Sequence, residues 1–306
     1  MLKHNFQSGK SDGGDATLVR PSNWNEDHRV DTSAGTAALG YLVLRNDGGP
    51  RELLAISNVD QAMLPLATHP GFEYEGRLVP LHGSTTMGGY GFSTAITGTA
   101  TAASWADTNA YTRTPKLESL VTAASATAVA SRYNNGSSGA RVGGSAAGQG
   151  GFHLMAHWGP ATGVATATAR AFCGMANSTG APTDVEPSTI TNIVGMGWDA
   201  ADTNVQIMHR NAGAVTKIDL GASFPVPGAD RTTMYRLELY SAPSTTQAVD
   251  YKVTNLTNGN TTSGTITTNL PSTATSLGWR AWCSVGGTSS VIGVAVGPTY
   301  LSVPIA

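Results

Sequence analysis

The sharpest chemical constellation is the run GWDAADTNVQ, which sets Asp199, Asp202 and Asn204 within six residues between two apolar stretches. Carboxylate and amide oxygens so spaced can ligate Ca2+, a hard cation that takes oxygen donors. Asp and Asn in a short connection also stabilise a hairpin by bonding their own backbone, so both assignments stand. His153 and His157, in FHLMAHW, are four apart. On a helix that spacing presents a metal pair. On a strand it puts both rings on one side, and with no third ligand nearby they read as core or interface histidines. Sugar recognition on a sheet calls for an exposed aromatic beneath the ring's apolar face, with amides and carboxylates for the hydroxyls. Trp105, Tyr111 and Trp198 are the candidates, Trp198 because it adjoins Asp199 and Asp202. The competing assignment for each is the core.

Enzyme chemistry finds little support. The chain has no G-x-x-x-x-G-K-[ST], no G-x-G-x-x-G after a strand, no G-x-S-x-G and no H-E-x-x-H. Glycan cleavage needs two converging carboxylates, and Glu238 and Asp250 fall on polar strand faces while most other acids fall in turns. Cys173 and Cys283 sit in apolar runs and read as two buried thiols, with a cross-strand bridge as the alternative. No catalytic residue is assigned, and Ca2+ is the only cofactor the residues suggest.

The elements that must position these groups are strands. Charged residues are 12% of the 306, net charge is -2, and there are 37 glycines and 15 prolines. With 40% hydrophobic residues the chain can bury a core, and it lacks the basic stripe of a nucleic-acid binder. No window approaches the ~18 apolar residues of a membrane helix, and MLKHNFQSGK has no apolar h-region, so neither insertion nor a secretory signal is expected.

Charge density divides the chain. Residues 1–86 hold 17 of the 38 charges, and residues 87–306 hold the other 21 among Thr, Ala, Ser, Gly and Val. Residues 1–33 are mostly turn formers around ATLV and form an extended arm, with Leu18, Val19 and Trp24 as apolar anchors. Residues 34–86 form a small connector. It holds a strand at LGYLVL (39–44), a short helix from Asn58 that stops by Met63 before Pro65, and loop over 66–86. From residue 87 onward, strand runs such as MYRLELY and VDYKV alternate, with turn clusters between them. The fold class is all-β, an antiparallel two-sheet sandwich. Low charge and only five lysines suit surfaces that pack against copies of themselves, so a homo-oligomer is expected.

The arm carries a resemblance. FQSGKSDGGDATLVRPSNWNEDH is similar to a segment that opens many tailed-bacteriophage tail and tail-fibre proteins. Lys10, Asp12, Gly13, Asp15, Ala16, Thr17, Leu18, Val19, Arg20, Pro21, Ser22, Trp24, Asn25, Asp27 and His28 match it; Gly14, Asn23 and Glu26 depart from it. From about residue 165, ARAFCGMANS, ITNIVGMGWDAADTNVQIMHR, KIDLGASFP, YRLELYSA and SGTITTNLP resemble the carboxyl-terminal domain of phage tail proteins. The resemblance implies a concanavalin-like or jelly-roll sandwich in a homotrimer, made in the host cytoplasm and located in the virion tail. Asp15, Leu18, Val19, Arg20, Pro21, Trp24, Asn25 and His28 would then dock on other virion proteins. The sandwich would bind a host-surface glycan. A glycan depolymerase and a purely architectural head-fibre or decoration protein are the alternatives.

Overall fold

The computed structural model describes residues 40–44, 52–56, 63–65, 72–80, 87–90, 94–101 and 118–304, less 136–137, 163–167 and 228–232. The arm, with all eight of its attachment residues, lies outside the described residues, as do Trp105 and Tyr111. The chain divides into two units, Met1–His69 and Pro70–Ala306.

In the first unit, β1 (Gly40–Leu44), β2 (Glu52–Ile56) and β3 (Met63–Pro65) form an antiparallel meander. The strand expected at 39–44 is β1. Of the helix expected from Asn58, residues 57–62 lie outside the described residues, and Met63 opens a strand instead.

The second unit continues with β4 (Phe72–Pro80), β5 (Met87–Tyr90), β6 (Thr94–Thr97), β7 (Thr99–Thr101), β8 (Glu118–Val121), β9 (Val129–Asn134) and β10 (Phe152–Thr162). Then come β11 (Arg170–Ala176), β12 (Ile193–Trp198), β13 (Gln206–Arg210), β14 (Thr216–Asp219) and β15 (Tyr235–Ser241). The last are β16 (Val249–Asn255), β17 (Thr261–Ile266), β18 (Gly278–Ser284) and β19 (Gly293–Pro304). One sheet runs β17-β16-β15-β10-β19-β4-β5, with β8 also on β19 and β7 on β8, nine strands in all. The other runs β14-β13-β12-β11-β18-β9-β6, seven strands. All the named pairings are antiparallel. The architecture expected from the turn density and alternation is therefore present. Within 66–86, expected to be loop, β4 pairs with β19 and belongs to the second unit, which begins at Pro70.

Alternation explains the nine-stranded sheet. In β15, Tyr235, Leu237 and Leu239 are buried while Arg236, Glu238 and Tyr240 face outward. In β16, Val249, Tyr251 and Val253 point into the same core. At the centre of the seven-stranded sheet both faces are buried, so β12 and β18 read as unbroken buried runs, while the edge strands β6 and β14 stay partly exposed. Its outer face is covered in part by the 177–192 connection, which holds the single 3-10 turn (Pro187–Thr189) among the described residues. At the cross-strand pair Gly174 and Gly195 an added Cβ would stand 2.5 Å from the Val194 carbonyl oxygen and 2.4 Å from the Cys173 carbonyl oxygen, with the tip of the Phe172 ring at 3.0 and 2.7 Å. Backbone this close admits only glycine at both positions.

The sheets meet through a single core whose centre is Trp158 of β10 stacked on Trp198 of β12, centroids 5.6 Å apart. A buried ion pair also crosses the sandwich: Arg132 of β9 reaches Glu118 of β8 at 2.5 Å and Thr94 Oγ1 at 3.2 Å. Cys173 and Cys283 are free, both buried in this core. Burial pushes both thiols far above their ordinary range, so they are inert as nucleophiles. No helix among the described residues is long and apolar enough to cross a membrane.

Candidate functional site

The residues singled out around Trp198 do not make a site. Trp198 is 1% exposed, and its indole N–H donates to the Ala169 carbonyl at 3.2 Å. As an inward residue of β12 it is core, not a sugar platform, because alternation from Val194 and Met196 sends it between the sheets. Asp199 and Asp202 do come together, on a lysine. Lys217 Nζ of β14 lies 3.1 Å from Asp199 Oδ2 and 2.5 Å from Asp202 Oδ2. Their remaining lone pairs serve the turn, since Asp202 accepts from the Asp199 N–H at 2.8 Å and Asp199 from the Ser188 N–H at 3.1 Å. Asn204 is elsewhere, donating to Asp219 at 3.0 Å. Asp199, Asp202 and Asn204 therefore do not share one point: the two carboxylates meet at the Lys217 ammonium and Asn204 at Asp219. Among the described residues no three His, Cys, Asp or Glu side chains are grouped to hold a metal.

This cluster is part of a charge lattice on the seven-stranded sheet. Arg170 pairs with Asp184 at 3.1 Å and Glu186 at 2.8 Å, and Arg210 donates to the Ser188 carbonyl at 2.9 Å. Arg280 donates to the Ser178 carbonyl. Three arginines thus bind the 177–192 connection down. Burial raises the Asp184 pKa, but the Ser284 hydroxyl, the Gly286 N–H and Arg170 outweigh it and hold the carboxyl below its usual range. Asp199 is depressed likewise: burial is outweighed by Ser188 and Lys217. Lys217 is raised because its two carboxylates outweigh its own burial.

The other sheet offers a different surface. Strand β10 turns Phe152, Leu154, Ala156 and Trp158 inward, which leaves His153, Met155 and His157 facing out. Both histidines do share one side, as a strand requires. His153 stands opposite Tyr240 of β15 and Ser302 of β19 in register. Its ring is edge-on to Tyr240 (6.4 Å, 73°) and to Tyr300 of β19 (5.8 Å, 69°). Tyr240 is 40% exposed, one of three large hydrophobic side chains so exposed among the described residues. The Ser302 hydroxyl is buried beside them with no hydrogen-bond partner. Burial lowers the His153 pKa to about 4, so its ring is neutral at neutral pH. His157 is also lowered by burial, and its Nδ1–H donates to the Pro298 carbonyl at 2.8 Å.

Charges flank this row. Arg236 Nε is 2.8 Å from Glu238 Oε1, and Lys252 is opposite Glu238 in register. Asp250 is opposite Tyr240, exposed, and accepts from the Thr265 hydroxyl at 2.6 Å. Burial and then the Asp250 charge raise the Tyr240 pKa, which keeps the phenol protonated. Sequence reasoning passed over both tyrosines. The alternation in MYRLELY already puts Tyr240 with Arg236 and Glu238 on the outer face, a usable signal. Tyr300 gave none, because it falls in β19 beyond the apolar run VIGVAVG.

No family model matches the chain, and no curated protein does. Solved structures with a similar arrangement of strands include peanut lectin with a nonapeptide, at 15% identity and TM-score 0.47, covering 76% of this chain and 97% of that one. The lectin UEA-II complexed with galactose is 10% identical at TM-score 0.48, over 76% of this chain and 100% of its own. A protein of unknown function from Shewanella oneidensis MR-1 is 11% identical at TM-score 0.47, over 76% and 86%.

Proposed function

We propose that the chain is a structural protein of a tailed-bacteriophage tail that binds a host-surface glycan through the outer face of its nine-stranded sheet. The observation that carries the binding reading is the Tyr240–His153–Tyr300 row, in which the exposed Tyr240 ring packs edge-on to the buried His153 beside a half-buried Tyr300, with the Asp250 carboxylate opposite Tyr240. An exposed phenol ring offers its face to the C–H side of a sugar, and Asp250 offers an acceptor for hydroxyls. The attachment reading is supported by the arm's match to phage tail proteins over Lys10 to His28. An arm too polar to fold alone recovers its ordering entropy by strand addition on a partner, with Trp24 as the buried anchor. In a homotrimer three copies of the row would act together, so weak single-site affinity would be multiplied at a surface.

A glycan array with purified protein, run beside a reducing-sugar assay, tests the binding reading. Retention that disappears in Tyr240→Ala, with no sugar released, is the expected result. Release of reducing ends would make the protein a depolymerase, and no retention would leave an architectural role. Deleting residues 1–33 should shift the melting temperature by a few degrees at most yet abolish incorporation into particles. A truncated chain that still assembles onto virions would refute the attachment role.

A further inference from the structure

We infer that the Tyr240 row takes a neutral oligosaccharide of at least two rings, laid across the strands rather than along them. This rests on the glycan-binding reading above. Tyr240 is on β15 and Tyr300 on β19, with β10 between them. Neighbouring strands are ~4.8 Å apart, and Tyr300 is opposite Met155 while Tyr240 is opposite His153, so the two phenol rings are separated diagonally, by about two strand spacings across the sheet and two residues along it. A single pyranose can stack on one of them only. The His153 ring fills the gap edge-on to both, so a chain bridging the tyrosines passes over the imidazole, with the unpartnered Ser302 hydroxyl behind it.

Charge selects the class of sugar. The imidazole at the centre is buried and neutral, so it puts no positive charge on the row. Of the two cations on β15 and β16, Arg236 pairs with Glu238 at 2.8 Å and Lys252 stands opposite Glu238 in register. On β4, Arg77 and Glu75 occupy the register positions opposite Tyr300 and Ser302, one charge of each sign. What stands opposite the exposed Tyr240 is a carboxylate, Asp250. A uronate or sialate at that position meets a like charge, whereas a neutral ring presents hydroxyl donors to it.

Isothermal titration of the full chain with cello-, malto-, manno- and chitohexaose, their monosaccharides, hexagalacturonate and sialyllactose tests the inference. At least one neutral hexaose should bind about tenfold or more tighter than its monosaccharide. Tyr240→Ala and Tyr300→Ala should each weaken that hexaose by about tenfold, while Tyr240→Phe, which keeps the ring, should retain it. Both tyrosines face outward, and thermal melts of the variants will show whether the fold persists. Equal affinity for hexaose and monosaccharide, or tightest binding of an anionic probe that Tyr240→Ala removes, would overturn the inference and leave the glycan reading standing. Binding indifferent to Tyr240→Ala, or no binding to any probe, would remove both.

Discussion

On the outer face of the seven-stranded sheet, charges are satisfied from within the chain. Arg170 holds Asp184 and Glu186, Lys217 holds Asp199 and Asp202, and Arg210 and Arg280 hold carbonyls of the 177–192 connection. The outer face of the nine-stranded sheet instead presents a ring to solvent, Tyr240, with an exposed carboxylate opposite it. The difference separates two uses of polar chemistry. Carboxylates that look like ligands in the sequence become structural when a lysine or a backbone N–H reaches them first. Binding capacity is left where apolar ring area and hydrogen-bonding groups face water together.

Two aromatics break the comparison most sharply if it is wrong. Trp198→Ala empties the centre of the core and leaves Trp158 without its stacking partner. It should cost about 3–5 kcal/mol and lower the melting temperature by roughly 10 °C. Tyr240→Ala should change stability by under about 1 kcal/mol, because its ring is 40% exposed, while removing glycan retention. Calorimetry on the two variants reads the difference directly. Similar melting losses for both would mean that the outer row is structural too.

The buried pair inside the sandwich gives the next effect. Glu118 and Arg132 are 3% and 9% exposed, so Glu118→Gln strands a guanidinium between the sheets. A loss of about 3 kcal/mol is expected by urea denaturation. Replacing both residues with Leu and Met should recover most of that loss, since the pair must offset its own desolvation.

The sandwich could be read from the sequence because one-sided strands write their burial as alternation. Tyr235, Leu237 and Leu239 set against Arg236 and Glu238 is such a text. At the centre of the seven-stranded sheet, burial on both faces erases the alternation, so nothing marked Trp198 as inward rather than outward. The partner of Asp199 and Asp202 was hidden for a different reason. Lys217 is one strand beyond β13, and only the β13–β14 pairing, Met208 opposite Lys217, carries its ammonium to the turn. Tyr240 and Tyr300 are 60 residues apart in sequence, and their meeting around His153 depends on the strand order β15-β10-β19. That order is a long-range property no local pattern records.

Acid should act in two steps, the buried histidines before the carboxylates. His153 is held to a pKa of about 4 by burial and titrates near 6.5 when unfolded, so the unfolded chain binds more protons between those values. Stability therefore falls as pH drops from 7 toward 4, by on the order of 2 kcal/mol at pH 5. His157 and His209, also lowered by burial, act in the same direction. Asp184 and Asp199 are depressed carboxylates. Their contribution is intact above the ordinary carboxylate range and is lost only as pH falls below about 4. Urea midpoints from pH 7 to 3 should show an early decline that His153→Gln flattens and a later one that it leaves alone.

The smallest effect concerns calcium. Wild-type protein should show under about 1 °C of change in melting temperature on adding 10 mM Ca2+, because the Lys217 ammonium already occupies the point the two carboxylates of the 199–204 turn share. Lys217→Ala removes that charge and leaves Asp199 and Asp202 facing one point in space. With Lys217 partly exposed and its pairs screened by solvent, the variant should lose only about 1–2 kcal/mol. Two carboxylates fall well short of the oxygens calcium prefers, so affinity gained there would be millimolar at best. At 10 mM ion, mass action then returns about 1 kcal/mol to the variant and almost nothing to the wild type. A melting temperature that rises with Ca2+ only in Lys217→Ala identifies the lysine as the resident cation. A rise in the wild type would instead show that the chain holds calcium through other residues.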